Sequence, residues 1–365
     1  MIDAKLRKRK NRNVEIFKNG RWISTGESTI ADAVVKIYRD GEVESPDSLG
    51  LFAMYIFSNR MPGSYYDIFM STKRHTCQEW WDNKILITTR YIKNYFINKS
   101  VKDVTPMDIQ KWYLRLDDIA GKTLADSTKN KILFCLSTVM SQAILYGKRD
   151  DNPCKNVTKI AQQTKKRDIF TDEEFKIMFP DNRMKLVSIW GNLKWACYFM
   201  VAKDTGWRPG EIAGLSVDGY YPEKKGIFTT SSVDSYEKRI KDSIKTSFSG
   251  GYSYRVGMLS DMTVKYLNIY LKENKIKSGI MFTNDKGEII TSTCSRKHFI
   301  DSLRLIGIST ENRPPYALRT TFFTNSANKL DESVLKELMG HKQWRSCYDQ
   351  RKPEEVLDKI RKVMI

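Results

Sequence analysis

Between about residues 46 and 160 the alternation of apolar and polar positions is that of amphipathic helices, interrupted at Pro62-Gly63, around Lys99-Ser100, at Thr105-Pro106 and at Asn152-Pro153. Thr105-Pro106-Met107-Asp108 places a cap residue and a proline at a helix start, and IQKWYLRL continues it. Ser127-Thr128-Lys129-Asn130 opens the run KILFCLSTVMSQAILYG, which stops at Gly147. The segment therefore predicts four or five helices. Its aromatics, Trp80, Trp81, Tyr91, Tyr95, Phe96, Trp112 and Tyr113, read as core rather than as platforms for stacking bases.

Either side of this block the pattern changes. Residues 155–169 (KNVTKIAQQTKKRDI) are polar, basic and weakly patterned, which places a linker at 161–170. Thr171-Asp172-Glu173-Glu174 then gives a capping-box start. Three short β-rich runs follow within 226–260 (GIFTTSSVD, KRIKDSIKT, YSYRVGMLS), and helices carry the chain to Ile365. Upstream, VEIFKNGRWIST has β-rich runs on both sides of Asn19-Gly20, a hairpin signal. The expected fold is mainly α with a small three-stranded antiparallel sheet. The expected domains are an N-terminal segment 1–45, a helical domain 46–160 and an α+β domain 171–365.

Charge changes the picture more than composition does. The 365 residues carry a formal net charge of +19, a balance that draws a polyanion and holds it through phosphate contacts. Residues 1–24 alone hold eight basic residues against Asp3 and Glu15. Lys5, Arg7, Lys8, Arg9, Lys10 and Arg12 form either a flexible arm that contacts DNA or a basic tail beside a stray hairpin. The six cysteines are scattered without a CxxC pair and there are only three histidines, which gives no support to a zinc site or a disulfide framework. No apolar run approaches the roughly 20 residues of a spanning helix, and the basic N-terminus lacks the apolar stretch of a secretory signal. A reduced, cytoplasmic, nucleoid-associated protein without a membrane partner is expected.

Four segments of the second half carry groups suited to phosphodiester transfer. Asp204-Thr205-Gly206-Trp207-Arg208-Pro209-Gly210-Glu211 lets Gly206 end one helix and Pro209 start the next, with Arg208 at the helix N-terminus and Glu211 able to reach back to its guanidinium. Lys245 lies just before the Gly250-Gly251 turn signal. Pro314-Pro315-Tyr316 fixes another helix start, with Arg319 one turn from Tyr316 on the same face. Gly340 ends a helix before His341, and Trp344 and Tyr348 follow. Arginine suits a phosphate because its planar fork binds two oxygens at once and keeps its charge. Taken singly, each segment reads as a capped turn or a solvated charge.

In that order, TGWRPGEIAGL, Lys245, YALRTTFFT and LKELMGHK followed by a tyrosine resemble the active-site boxes of the tyrosine site-specific recombinases, the phage integrase family in its lambda-integrase-like form. The resemblance covers residues 171–365 and extends by pattern to a helical core-binding domain over 46–160, with 1–45 as an arm-binding segment. It implies that Arg208 and Arg319 clamp the scissile phosphate, that Lys245 is the general acid, that His341 binds or protonates, and that Tyr348 is the nucleophile. Glu211, Tyr316 and Trp344 would support them. It implies no cofactor and no metal, double-stranded DNA at paired attachment sites, a homo-tetramer on that DNA, and an accessory directionality or DNA-bending factor. Two departures stand out. Tyr316 replaces the family's usual histidine, and Tyr348 follows His341 more closely than usual, the customary spacing falling on Gln350. The alternative function is a DNA-binding regulator that keeps the fold without the chemistry.

Overall fold

The computed structural model describes residues 6–8, 13–18, 21–24, 46–58, 63–72, 78–161, 167–244, 254–327, 330–340 and 360–361. The chain divides into two units, Met1–Thr164 and Lys165–Ile365. Among the described residues no helix is long and apolar enough to cross a membrane.

The first unit begins with an antiparallel meander of β1 (Leu6–Lys8), β2 (Val14–Lys18) and β3 (Arg21–Ser24). The pairing Lys18↔Arg21 brackets Asn19-Gly20, as the turn signal predicts. β1 corrects the expectation of a wholly flexible arm. Arg7 and Lys8 lie in this strand, in register with Glu15 and Val14. Lys5, Arg9, Lys10 and Arg12 lie outside the described residues.

Among the described residues of 46–160, where four or five helices were expected, there are six α-helices: α1 (Leu49–Phe57), α2 (Tyr65–Ser71), α3 (Gln78–Ile87), α4 (Pro106–Leu114), α5 (Leu116–Ala120) and α6 (Asp126–Leu145). The predicted run over 106–116 splits because Arg115 leaves helical geometry between α4 and α5. Thr105 and Asp108 cap α4 reciprocally, the side chain of each taking the other's backbone N–H. One face of α6, with Ile132, Leu133, Leu136, Val139, Met140 and Ala143, is buried in the core. Trp81 is the aromatic centre of that core, in edge contact with Phe57, Tyr65, Tyr66, Phe69 and Trp80. Of the predicted core aromatics, Tyr95 alone is exposed.

Polar residues just before the expected linker at 161–170 are docked on the first unit. Thr158 donates its N–H to Gln110, and Ile160 donates to Tyr113 while accepting from Asn130. In the second unit, Phe170 donates its N–H to Thr321. The residues between, 162–166, lie outside the described set.

The second unit is built around α9 (Leu193–Thr205), which is buried on nearly every side, with α7 (Asp172–Met178), α8 (Arg183–Trp190) and α10 (Pro209–Ala213) beside it in sequence. The Thr171–Glu174 capping box forms as predicted. An antiparallel sheet joins β4 (Tyr220–Tyr221), β5 (Gly226–Thr229) and β8 (Arg255–Met258), and a separate ladder joins β6 (Ser232–Asp234) to β7 (Arg239–Lys241). The run read as one strand, GIFTTSSVD, is therefore two. The Thr229 hydroxyl accepts the Ser231 N–H and turns the backbone out of the first strand. Helices α11 (Asp261–Glu273), α12 (Ser292–Leu305), α13 (Tyr316–Ala327) and α14 (Glu332–Met339) complete the described fold. A second apolar cluster seats Val334, Leu335, Leu338 and Met339 of α14 against Val256 and Met258 of β8 and Phe322 of α13.

Candidate active site

Helix α9 ends at Gly206, whose φ of +62° lies in the left-handed region, and a Cβ there would fall 2.6 Å from the Phe322 ring. Glycine is thus required twice at this turn. Trp207 is buried, Arg208 takes the N-cap position of α10, and Pro209 fills the first helical position. Glu211 reaches back as the sequence predicts. One carboxylate oxygen accepts the Arg208 backbone N–H at 2.9 Å, and the other accepts Arg208 Nη1 at 2.7 Å. The helix-dipole expectation is weaker here than it looked, because α10 has five residues and Glu211 already occupies the N–H of Arg208.

The same Glu211 oxygen accepts from a second arginine that sequence reasoning missed. Arg255, opening β8, donates from Nη2 at 3.1 Å and from Nε at 3.3 Å. Its side chain is fully buried, and Glu211 is 2% exposed. Burial pushes the Glu211 carboxyl upward, but the charges of Arg255 and Arg208 outweigh it and hold the group below the usual carboxylate range.

Arg319, one turn into α13, is 3% exposed. Nη1 donates to the Gly206 carbonyl at 2.8 Å and Nη2 to the Met339 carbonyl at 2.5 Å. Burial, and then repulsion from Arg208, lowers its pKa to about 10. Its guanidinium carbon lies 5.9 Å from the centre of the Tyr316 ring, and that of Arg167 lies 4.8 Å from the same ring. Arg167 was also missed; its only sequence signal was the basic run KKRD that opens the second unit.

The described residues thus bring together Arg208, Glu211, Arg255, Arg319 and Tyr316 with the end of α14. Gly340 caps that helix with φ +60°, one residue before His341. Lys245 follows the buried Ile244 on the way from β7 to β8. Lys245, His341, Trp344 and Tyr348 themselves lie outside the described residues.

Residues 181–349 match the phage integrase family. The second unit is a phage integrase family domain. The matched stretch contains Arg208, Lys245, Arg319, His341 and Tyr348. Among solved structures, the integrase fold is shared with the Tn1549 transposon integrase bound to transposon right end DNA, at 15% identity and a TM-score of 0.63, over 82% of this chain and 98% of that one. A lambda integrase dimer bound to a core site matches at 14% identity and a TM-score of 0.55, over 79% and 96%. A lambda integrase tetramer bound to a Holliday junction matches at 15% and 0.53, over 95% and 98%. At these identities the likeness is one of fold. No curated protein sequence matches the chain at a significant level.

Proposed function

We propose that this integrase-fold chain is a site-specific DNA recombinase that integrates or excises a phage or other mobile element. The observation that carries the reading is the pairing of Arg208 with Arg319 through the Gly206 carbonyl, two residues before Arg208. A phosphodiester gains a second negative charge as a nucleophile adds to phosphorus, and preorganised cations stabilise that state more than the ground state. Arg319 spends two of its five N–H donors on protein carbonyls, which leaves three for phosphate oxygens. Arg208 is held by Glu211 yet keeps about a fifth of its side chain exposed.

In the proposed reaction the Tyr348 phenolic oxygen attacks the scissile phosphorus. The bond to the 5′-oxygen breaks, Lys245 supplies the proton to that leaving oxygen, and the DNA is left joined to Tyr348 through a 3′-phosphotyrosyl link. A phenol has a pKa near 10, so the phenolic proton must pass to an acceptor as attack proceeds. His341 and Tyr316 hydrogen-bond the phosphate, with Trp344 beside them. The 5′-hydroxyl of a second strand then attacks the link and restores the phenol. The bond energy is kept in the phosphotyrosyl link, so the reaction needs neither ATP nor metal. The helical part of the first unit is proposed to grip the core duplex, the basic strands near Arg7 and Lys8 to touch flanking DNA, and four chains to act on two paired sites, with a directionality or bending factor as accessory partner.

The test uses a pool of duplexes with a randomised core and a nick that traps cleavage, resolved under denaturing conditions. A 3′-linked adduct that Tyr348→Phe abolishes is expected. Salt-sensitive binding without any adduct would replace this reading with that of a non-catalytic DNA-binding regulator. An adduct that survives in Tyr348→Phe would move the nucleophile elsewhere.

A further inference from the structure

We infer that Arg255 is a positioning residue for strand cleavage, sharing the Glu211 carboxylate with Arg208 and seating Gly340, the helix end that leads into His341. The inference deepens the recombinase reading and rests on it.

The described contacts of the buried Arg255 side chain are with Glu211 and the end of α14. Its influence must pass through what it touches. Glu211 facing Arg208 alone would neutralise the arginine that faces the phosphate. With Arg255 on the same carboxylate oxygen, the three groups keep one net positive charge where the phosphate is to bind. The arrangement also aims Arg208, since a carboxylate fixed from behind by Arg255 offers Arg208 Nη1 and the Arg208 N–H fixed acceptors.

The second contact is with the end of α14. A Cβ added to Gly340 would fall 1.6 Å from Arg255 Nη1 and 1.9 Å from its Cζ, so the guanidinium occupies the space a side chain would need. Arg319 holds the neighbouring Met339 carbonyl. Two buried arginines therefore fix the two residues before His341. β8 is a rigid mount for this device. Each of its residues is buried, it pairs with β5, and a Cβ at Gly257 would lie 2.6 Å from Thr205, at the helix end that leads to Arg208.

The experiment uses the full chain and a cleavable duplex recovered from the randomised pool, and compares Arg255→Met, Arg255→Lys and the double variant Glu211→Gln/Arg255→Met. Melting temperature, duplex binding and the rate of covalent adduct formation are measured for each. Arg255→Met is expected to bind the duplex within about twofold of the parent while its adduct rate falls roughly tenfold or more, a loss confined to the chemical step. Glu211→Gln/Arg255→Met is expected to recover much of that rate, because the carboxylate that would otherwise neutralise Arg208 is gone. It also keeps the comparison possible where Arg255→Met alone fails to fold. Arg255→Lys keeps the charge without the fork and is expected to fall between. A folded Arg255→Met with the parent's adduct rate overturns the inference. So does a double variant that folds yet recovers nothing over Arg255→Met. Absence of an adduct with the parent chain overturns the recombinase reading, and this inference with it.

Discussion

At the scale of single residues, the site depends on a carboxylate whose pKa is held below the usual range where burial alone would raise it. Glu211 is so held because two guanidinium groups share it. The sign follows from linkage. A carboxyl whose folded pKa lies below its unfolded value contributes stability above the ordinary value near 4.3, and loses it as pH falls through the depressed folded value. Thermal melts of Glu211→Gln should therefore lie well below the parent at pH 7 and converge with it in acid, below about pH 4.3. Removing one partner of a buried ion pair costs about 3–5 kcal/mol at neutral pH, since Arg208 and Arg255 lose the carboxylate they share. Parallel melting curves across that range would remove the carboxylate from this role. The Arg208–Glu211 half of the pair was legible in the sequence, because three positions on one helical turn fix it. The Arg255 half was not. Its partner is 44 positions away, and an arginine opening an otherwise apolar strand gives no sign of what it faces.

Elements were most legible where local chemistry alone sets their ends. Thr105 and Thr171 cap their helices as their spacing to Asp108 and Glu174 predicts, and Pro314-Pro315 delivers Tyr316 as the first residue of α13. They were least legible where tertiary contacts decide. The β block gains an extra strand from the Thr229–Ser231 turn, and polar residues 155–161 are docked by Gln110, Tyr113 and Asn130 rather than left as a tether. Asp204 shows how one element's end anchors another's beginning. Its carboxylate accepts the Ser260 N–H at 2.8 Å, the Ser260 hydroxyl at 2.8 Å and the Thr263 hydroxyl at 2.6 Å. It thereby ties the first turn of α11 to the last turn of α9, four residues before Arg208. Asp204→Ala should cost about 1–3 kcal/mol in denaturant unfolding, from the unmet donors it leaves at a helix N-terminus. Gly206→Ala should cost more than about 1 kcal/mol, since left-handed strain adds to the encounter with Phe322. An unfolding midpoint unchanged in either variant would contradict these contacts.

At the scale of the whole molecule, the two units have separate apolar cores. One is centred on Trp81 and Trp112, the other on Trp190 and Phe199. Each is long enough to bury a core of its own, so residues 1–164 and 165–365, expressed apart, should each melt cooperatively. The proposed division of labour then predicts different DNA behaviour for the two pieces. Phosphate contacts release counterions, so the logarithm of affinity falls linearly with the logarithm of salt concentration, by about 0.9 per contact on duplex DNA. If the chain encloses its duplex with both units, the slope for the full protein should exceed that of either piece and approach their sum. Their individual affinities should be far weaker, because linking two binding modules makes the second binding event intramolecular. Fluorescence anisotropy on one labelled duplex across a salt series measures all three slopes. A full-length slope equal to that of residues 165–365 alone would leave the helical unit without a DNA role, and the strong positive charge would then need another explanation.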